Sequence, residues 1–383
     1  MRASATIRAR LSRLHAGSGP LRAGACLALS VLALSATGLA PPAGAERYNN
    51  GFAQIPLDIQ VEARRPPTCH EGPCNAMKHG RLTVNPQDGL IYWHGGDFGY
   101  AGPSGREYPH FLHSARQEIF SYDIRTGEWR LVMPYCTPDN FTFGHPDQHG
   151  WVWDSRRERF WALPGQQRYF GTDCDGLDKQ VMGFDPQTGK WHLRKDQDPP
   201  PRTVEFAVYD AGTDKVYLLG PRGGNVLAWD PQTHEWEKLR GGMRSRRHAV
   251  YTALAGRSIY NVDFRNNSLI AFDIDRRRIR DVAALPWDAP ACPHPQAREW
   301  IYTLHLAHLD ALFIYDWGCS KSAWLYWLEH GAWQPIDIGA ADGRHLVYHP
   351  ATEQILIMGD SGDYQHDFDN DDATPYIVRI QRR

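Results

Sequence analysis

The sequence predicts an all-β fold in which six repeated four-stranded units close into a ring. Three observations predict it. First, an aromatic–Asp pair recurs with a Trp seven residues after the aromatic: Tyr122-Asp123 to Trp129, Phe184-Asp185 to Trp191, and Trp229-Asp230 to Trp236. Phe272-Asp273 to Ile279 is a degenerate copy, and Tyr326 to Trp333 keeps the spacing without the Asp. A fixed internal spacing marks a repeat architecture, in which each unit buries its apolar face against the next. Second, short apolar runs bounded by Gly, Asp, Asn and Pro fill the chain beyond residue 50, and no segment shows the helical 3.6-residue period. Third, the last unit is one strand short, while a strand-like segment, Phe52–Ile59, stands near the start of the chain.

Each unit reads as a short apolar strand, a turn, a second strand, a variable loop, the aromatic–Asp strand, a tight turn and the Trp strand. In the first unit these are Arg81–Val84, Asn85–Gly89, Leu90–Trp93, the loop Gly95–Arg116, Glu118–Asp123 and Trp129–Val132. The second unit begins at Trp151-Val152-Trp153, the third at Phe206–Tyr209, and the fourth at Ala249–Thr252. The fifth begins at Trp300–Leu304 and the sixth at Leu346–Tyr348. Units of about 50 residues with four strands each are those of a β-propeller, whose radial sheets leave only short edges. In the sixth unit Ile355–Met358 and Tyr376–Ile380 supply inner strands before the chain stops at Arg383. Phe52–Ile59 is expected to supply the missing outer strand, with Phe52 in the Trp position. Pairing the two chain ends in one sheet removes two open edges.

The signature itself is structural. Asp accepts backbone N–H bonds and closes a tight hairpin. Trp offers a large area for packing between sheets.

The segments Phe184-Asp-Pro-Gln-Thr-Gly-Lys-Trp191 and Trp229-Asp-Pro-Gln-Thr-His-Glu-Trp236 resemble the kelch repeat. So do Tyr92-Trp93-His94-Gly95-Gly96, with paired glycines after a second strand, and Arg247-His248 before an innermost strand. The resemblance spans residues 50–383 and implies a six-bladed kelch-type β-propeller, like the central domain of galactose oxidase, in an exported protein. Units one to three match well. Units four to six lack the paired glycines, and unit five has Trp327 in place of Asp. Kelch propellers include protein-binding modules and sugar-binding or sugar-transforming proteins, among them galactose oxidase and the bacterial sialic-acid mutarotases, so the fold assigns no activity. The copper set of galactose oxidase, two Tyr and two His with one Tyr crosslinked to Cys, has no counterpart here.

Residues 1–45 carry five arginines (Arg2, Arg8, Arg10, Arg13 and Arg22), no acid, an apolar run from Ala25 to Ala40, and Ala43-Gly44-Ala45. This pattern is read as a secretory signal peptide, with the propeller spanning 46–383 and a periplasmic or secreted location. The run is short for a membrane span, and beyond the leader no stretch could cross a membrane. Without the leader's five arginines, 42 Lys+Arg become 37 against 44 Asp+Glu, a formal charge of −7. That excludes a basic field for nucleic acid. Cys69, Cys74, Cys136, Cys174, Cys292 and Cys319 remain, an even number that suits disulfides in an exported chain. Their connectivity stays open. Metal ligation is the rival reading, but Cys69-x4-Cys74 is a poor zinc signal.

Two recurring positions point to a ligand site. An acidic residue follows the second strand in four units: Asp97, Asp263, Asp316 and Asp360. A cation or His precedes the innermost strand: His79 with Arg81, His149, Arg202, Arg247 with His248, Arg298, and Arg344 with His345. Propeller topology carries both sets to one rim of the central channel. Carboxylates accept from hydroxyls, guanidinium groups donate, and nearby rings stack on sugar faces. The rival reading is that these residues only tie blades together.

The loop 360–372 is acidic, and Asp367-Phe-Asp369-Asn-Asp371 repeats the opening of a calcium loop. The sixth position is Asp372 rather than Gly and the twelfth is Val378 rather than Glu, which rejects an EF-hand. Irregular calcium binding and a solvated acidic loop both remain as readings; no other cofactor is expected. Three functions stay open: a module binding a carbohydrate or other small polar ligand, a sugar epimerase, mutarotase or lyase at the same rim, and a protein-binding scaffold using the long loops.

Overall fold

The structure is a computed structural model. It describes residues 51–65, 80–94, 119–133, 150–163, 181–193, 207–219, 226–240, 252–263, 266–287, 301–317, 320–343, 345–358 and 374–383. β1 (Leu57–Ala63) comes first. Blade 1 is β2 (Arg81–Asn85), β3 (Leu90–His94), β4 (Ile119–Asp123) and β5 (Glu128–Met133). Blade 2 is β6 (Gly150–Asp154), β7 (Arg159–Leu163), β8 (Met182–Asp185) and β9 (Lys190–Leu193). Blade 3 is β10 (Ala207–Asp210), β11 (Lys215–Leu219), β12 (Val226–Trp229) and β13 (Trp236–Arg240). Blade 4 is β14 (Ala253–Ala255), β15 (Ser258–Asp263), β16 (Ser268–Asp273) and β17 (Arg278–Ala284). Blade 5 is β18 (Ile301–Leu306), β19 (Ala311–Asp316), β20 (Ser322–Trp327) and β21 (Ala332–Ile336). Blade 6 is β22 (His345–His349), β23 (Gln354–Met358) and β24 (Pro375–Arg382), completed by β1. The innermost strands β2, β6, β10, β14, β18 and β22 neighbour one another in a closed cycle. The chain is a six-bladed β-propeller.

The signature residues explain the packing. In every copy the aromatic pairs across the hairpin with the Trp or its replacement: Tyr122↔Trp129, Phe184↔Trp191, Trp229↔Trp236, Phe272↔Ile279 and Tyr326↔Trp333. The aromatic before the Asp is the deeper partner. Tyr122, Phe184, Trp229 and Phe272 are wholly buried, whereas Trp191 and Trp236 keep some exposure. The Asp closes the turn as expected: Asp185 Oδ1 accepts from the N–H of Gln187 and Thr188, and Asp230 Oδ1 from Gln232 and Thr233. Each seam between neighbouring blades holds its own apolar core. Trp161 and Leu163 of blade 2 meet Leu218 and Trp229 of blade 3, for example, and Leu82 and Trp93 of blade 1 meet Leu356 and Ile377 of blade 6.

Three expectations need adjusting. The closing strand does come from the N-terminal side, but it is β1, paired antiparallel with β24 from Leu57↔Arg382 to Ala63↔Tyr376. Val61, opposite Val378, takes the place expected for Phe52. Phe52 instead forms a parallel bridge to Trp333 of blade 5 and is 63% exposed. The physical reason is the neighbouring edge: Ala53 N–H donates to Trp333 O at 2.8 Å, and Trp333 N–H to Gly51 O at 3.1 Å. Backbone groups upstream of β1 thus find partners on β21 before the chain reaches β24. The innermost strand of blade 4 is Ala253–Ala255 rather than Ala249–Thr252. That of blade 5 runs on to Leu306.

Antiparallel order sorts the connections onto two faces. Turns between first and second strands, and between third and fourth, lie on one face and are short, such as 86–89 and 124–127. Connections between second and third strands, and between blades, leave from the other face. They include 95–118, 134–149, 164–181, 194–206 and 359–374. We call these the turn face and the loop face.

Candidate functional site on the loop face

His79, Asp97, His149, Arg202, Arg247, His248, Arg298, Arg344 and Asp360 lie outside the described residues. So do the acidic Asp367, Asp369 and Asp371, the six cysteines of the 46–383 region and the 1–45 leader. Arg81, Asp263, Asp316 and His345 are described, and all four stand at the loop-face end of their strands. Arg81 opens β2 and His345 opens β22, while Asp263 ends β15 and Asp316 ends β19.

All four are buried. Arg81 Nη1 donates to Gly80 O at 3.1 Å. The His345 ring meets Trp93 edge-on, with centroids 4.8 Å apart. Gly80 is needed beside them, because a Cβ there would overlap the Trp93 ring. Asp263 accepts from Asn266 Nδ2 at 2.9 Å, and Asp316 accepts from Ser320 Oγ at 2.7 Å and Ser320 N at 3.2 Å. The two carboxylates therefore shape the loops that follow them.

In blade 5 nearby residues form a polar group that the recurrence argument missed. Tyr315, 1% exposed, donates its hydroxyl to Asp342 Oδ1 at 3.0 Å. Lys321 Nζ sits 2.6 Å from Asp342 Oδ2. Burial first, and the adjacent Asp342 carboxylate second, raise the Tyr315 hydroxyl well above its ordinary pKa, so it stays a donor. Ser320 Oγ and Ser322 Oγ lie 2.5 Å apart, and Trp324 Nε1 donates to Ser322 Oγ at 3.0 Å. Asp342 lies in the connection leading to Arg344 and His345. Its nearness to that flagged entry was the one sequence signal for it.

His94, at the loop-face end of β3, is fully buried. It stacks on Trp151 with centroids 4.7 Å apart and lies against Trp191. Burial alone pushes its pKa down to about 3, so the ring is neutral at pH 7. It serves the seam between blades 1 and 2.

Asp–Arg ties between blades stand on the turn face, among residues outside the two recurring sets. Arg157 bridges Asp154 at 2.9 Å and Asp214 of the next blade at 2.7 Å. Arg257 of blade 4 bridges Asp210 of blade 3 and its own Asp275. Hydrogen bonds from Arg157 hold the Asp214 carboxyl below the usual range. Burial pushes Asp210 up, but bonds from Thr213 and Arg257 outweigh it and leave it lowered.

Among the described residues no three His, Cys, Asp or Glu side chains gather as a metal site. No helix there is long and apolar enough to cross a membrane. The chain matches no protein-family model and no curated protein sequence.

Proposed function

We propose that the chain is an exported kelch-type propeller that binds a carbohydrate or other small polar ligand on its loop face, at the rim of the channel. One observation carries this reading: the asymmetry of the two faces. The turn face is closed by short hairpins and stapled between blades by Arg157 and Arg257. All the long connections leave from the other face, where Arg81, His345, Asp263 and Asp316 end their strands. Long loops on a rigid scaffold are where binding residues concentrate. The sequence motifs Phe184–Trp191 and Trp229–Trp236 support the kelch assignment. The basic, acid-free leader supports export.

The test is a glycan and calcium binding screen on residues 46–383, followed by Asp97→Asn and Arg247→Met. Affinity for a glycan should fall at least tenfold in one or both variants. Unchanged affinity in both would place the ligand elsewhere and sink the rim reading. Calcium that stabilises the chain, and ceases to after Asp367→Asn with Asp369→Asn, would assign the acidic loop as its site.

A further inference from the structure

We infer that Lys321 and Asp342 form a donor–acceptor pair for adjacent hydroxyls of an uncharged saccharide, which places a binding subsite between blades 5 and 6. The inference rests on the carbohydrate-binding reading above and narrows it to a position and a ligand class.

The pair stands on the loop face. Lys321 occupies the turn between β19 and β20, and Asp342 the connection from β21 to β22. Both reach solvent, with side chains 61% and 41% exposed. Beneath them the support is rigid. Tyr315 is buried and fixes Asp342 through its hydroxyl. Asp316, also buried, fixes the start of the Lys321 turn through Ser320. Lys321 itself sits at φ +50, in the left-handed region that non-glycine residues seldom occupy. An exposed ion pair adds little to stability, so this support is more than a surface tie requires.

The chemistry selects the ligand. An ammonium group only donates and an ionised carboxylate only accepts, whereas a sugar hydroxyl does both. One hydroxyl can take an N–H from Lys321 while giving its proton to Asp342. The Ser320 and Ser322 hydroxyls flank Lys321 in sequence and keep lone pairs that can accept from a neighbouring one. A ligand carboxylate fits less well. The Lys321 charge is already balanced, and Asp342 would face the incoming anion. Among the described residues the ion pairs that join blades 2, 3 and 4, Arg156 and Arg157 with Asp214, Arg257–Asp210 and Arg277–Glu237, lie on the turn face and belong to the scaffold.

The experiment is titration of residues 46–383 with neutral hexose and pentose oligosaccharides and, separately, with uronate oligosaccharides. Lys321→Met and Asp342→Asn are compared with Lys215→Met, a control at the turn-face pair with Glu237. A neutral oligosaccharide should bind at least tenfold more weakly to both loop-face variants and unchanged to the control. Tyr315→Phe should weaken binding several-fold by loosening Asp342, with less effect once Asp342 is already Asn. Neutral-glycan affinity unchanged by Lys321→Met and Asp342→Asn overturns the subsite while leaving the rim reading standing. A tenfold preference for uronates overturns the ligand class. Absence of binding by any glycan removes the carbohydrate reading and the subsite with it.

Discussion

The seams among blades 2, 3 and 4 differ in kind from those that join blade 6 to its neighbours. The first set is electrostatic. Arg157 spans Asp154 and Asp214, Arg257 reaches Asp210, and Arg277 reaches Glu237 at 2.7 Å. The second set relies on hydrogen bonds to backbone groups, among them Arg382 Nη2 donating to Leu309 O at 3.0 Å. His308 Nε2 donates to Ile380 O at 2.8 Å, and His349 Nε2 donates to Gly89 O at 3.0 Å. Gln334 Nε2 donates to Ile55 O, and its Oε1 accepts from Ile55 N–H. Blade 6 contains both chain ends, so strand pairing must do there what a hairpin does elsewhere. The difference teaches that closure rests on a backbone ladder, while blades 2 to 4, besides their apolar seams, are joined by ion pairs between neighbours.

The largest effect should come from removing the ladder. A chain lacking residues 46–63 loses the pairing from Leu57↔Arg382 to Ala63↔Tyr376 and the packing of Ile55, Leu57 and Ile59 on the core of blades 5 and 6. Seven paired residues at about 1 kcal/mol per net hydrogen bond, with three partly buried aliphatic side chains at about 1 kcal/mol each, rival the whole stability of a domain, about 5–15 kcal/mol. The truncated chain should show no cooperative thermal transition, and a peptide of residues 51–65 added in trans should restore one. An unchanged melting temperature would mean that β1 is dispensable.

Breaking the charged seam should cost less and depend on depth. Arg157→Met leaves the Asp154 carboxylate, fully buried, without its cation. It keeps the N–H groups of Arg156 and Arg157 and of the Trp161 indole, so the loss should be about 3 kcal/mol, the low end for a broken buried pair. Arg257→Met also leaves a buried carboxylate, Asp210, but its own guanidinium is 39% exposed and Asp210 keeps the Gly212 and Thr213 N–H groups and the Thr213 hydroxyl, so about 1 kcal/mol should follow. Urea denaturation measures both. Equal losses would show that exposure of the cation is not what distinguishes them.

Acid should act first on a neutral group. His94 has a pKa of about 3 in the fold against about 6.5 free, so its contribution is complete above pH 6.5 and is lost as pH falls toward 3. Asp210 and Asp214 are lowered, so their contribution is complete above about pH 4 and is lost only as pH falls through their folded values. Between pH 6.5 and 4.5 the chain should lose stability at about 1.4 kcal/mol per unit from His94. His94→Leu should flatten that slope, and Arg257→Met should not. A slope unchanged in His94→Leu would assign the acid response to another histidine.

Much of this architecture was legible because the repeat states it locally. Aromatic, Asp and Trp stand within one hairpin, so Tyr122, Asp123 and Trp129 predict their own contact. The closing strand was half legible. A missing strand in blade 6 announced a donor, but a strand's register depends on which edge it meets, and Phe52 found Trp333 rather than β24. The site was less legible still. Asp263 and Asp316 recur because each must hold its loop, and recurrence cannot tell a loop-holding carboxylate from a ligand-facing one. Tyr315 and Lys321 of blade 5 and Asp342 of the connection to blade 6 occur once and are joined only by the fold. The Arg157–Asp214 and Arg257–Asp210 ties were not foreseen, since no sequence spacing says which turn lies beside which.

The smallest effect sharpens the comparison at a single turn. The third-to-fourth-strand hairpins of blades 1, 2 and 5 turn on Gly127, Gly189 and Gly331, all at positive φ. Blades 3 and 4 use His234 at φ +63 and Arg277 at φ +53 in the same place. A side chain there costs about 1 kcal/mol of backbone strain, offset in part because glycine loses more entropy on folding, about 0.5–1 kcal/mol. Arg277 has a compensating reason to be present, since its guanidinium crosses to Glu237. That pair is exposed, so its ~0.5 kcal/mol should vanish in concentrated salt. Arg277→Gly should therefore be close to neutral at low ionic strength and stabilising by about 0.5 kcal/mol in 1 M salt, read as the shift in thermal midpoint between the two conditions. The shift should be absent in Gly331→Ala, which adds and removes no charge. A difference for Arg277→Gly that ignores salt would mean that packing, rather than charge, aligns blades 3 and 4.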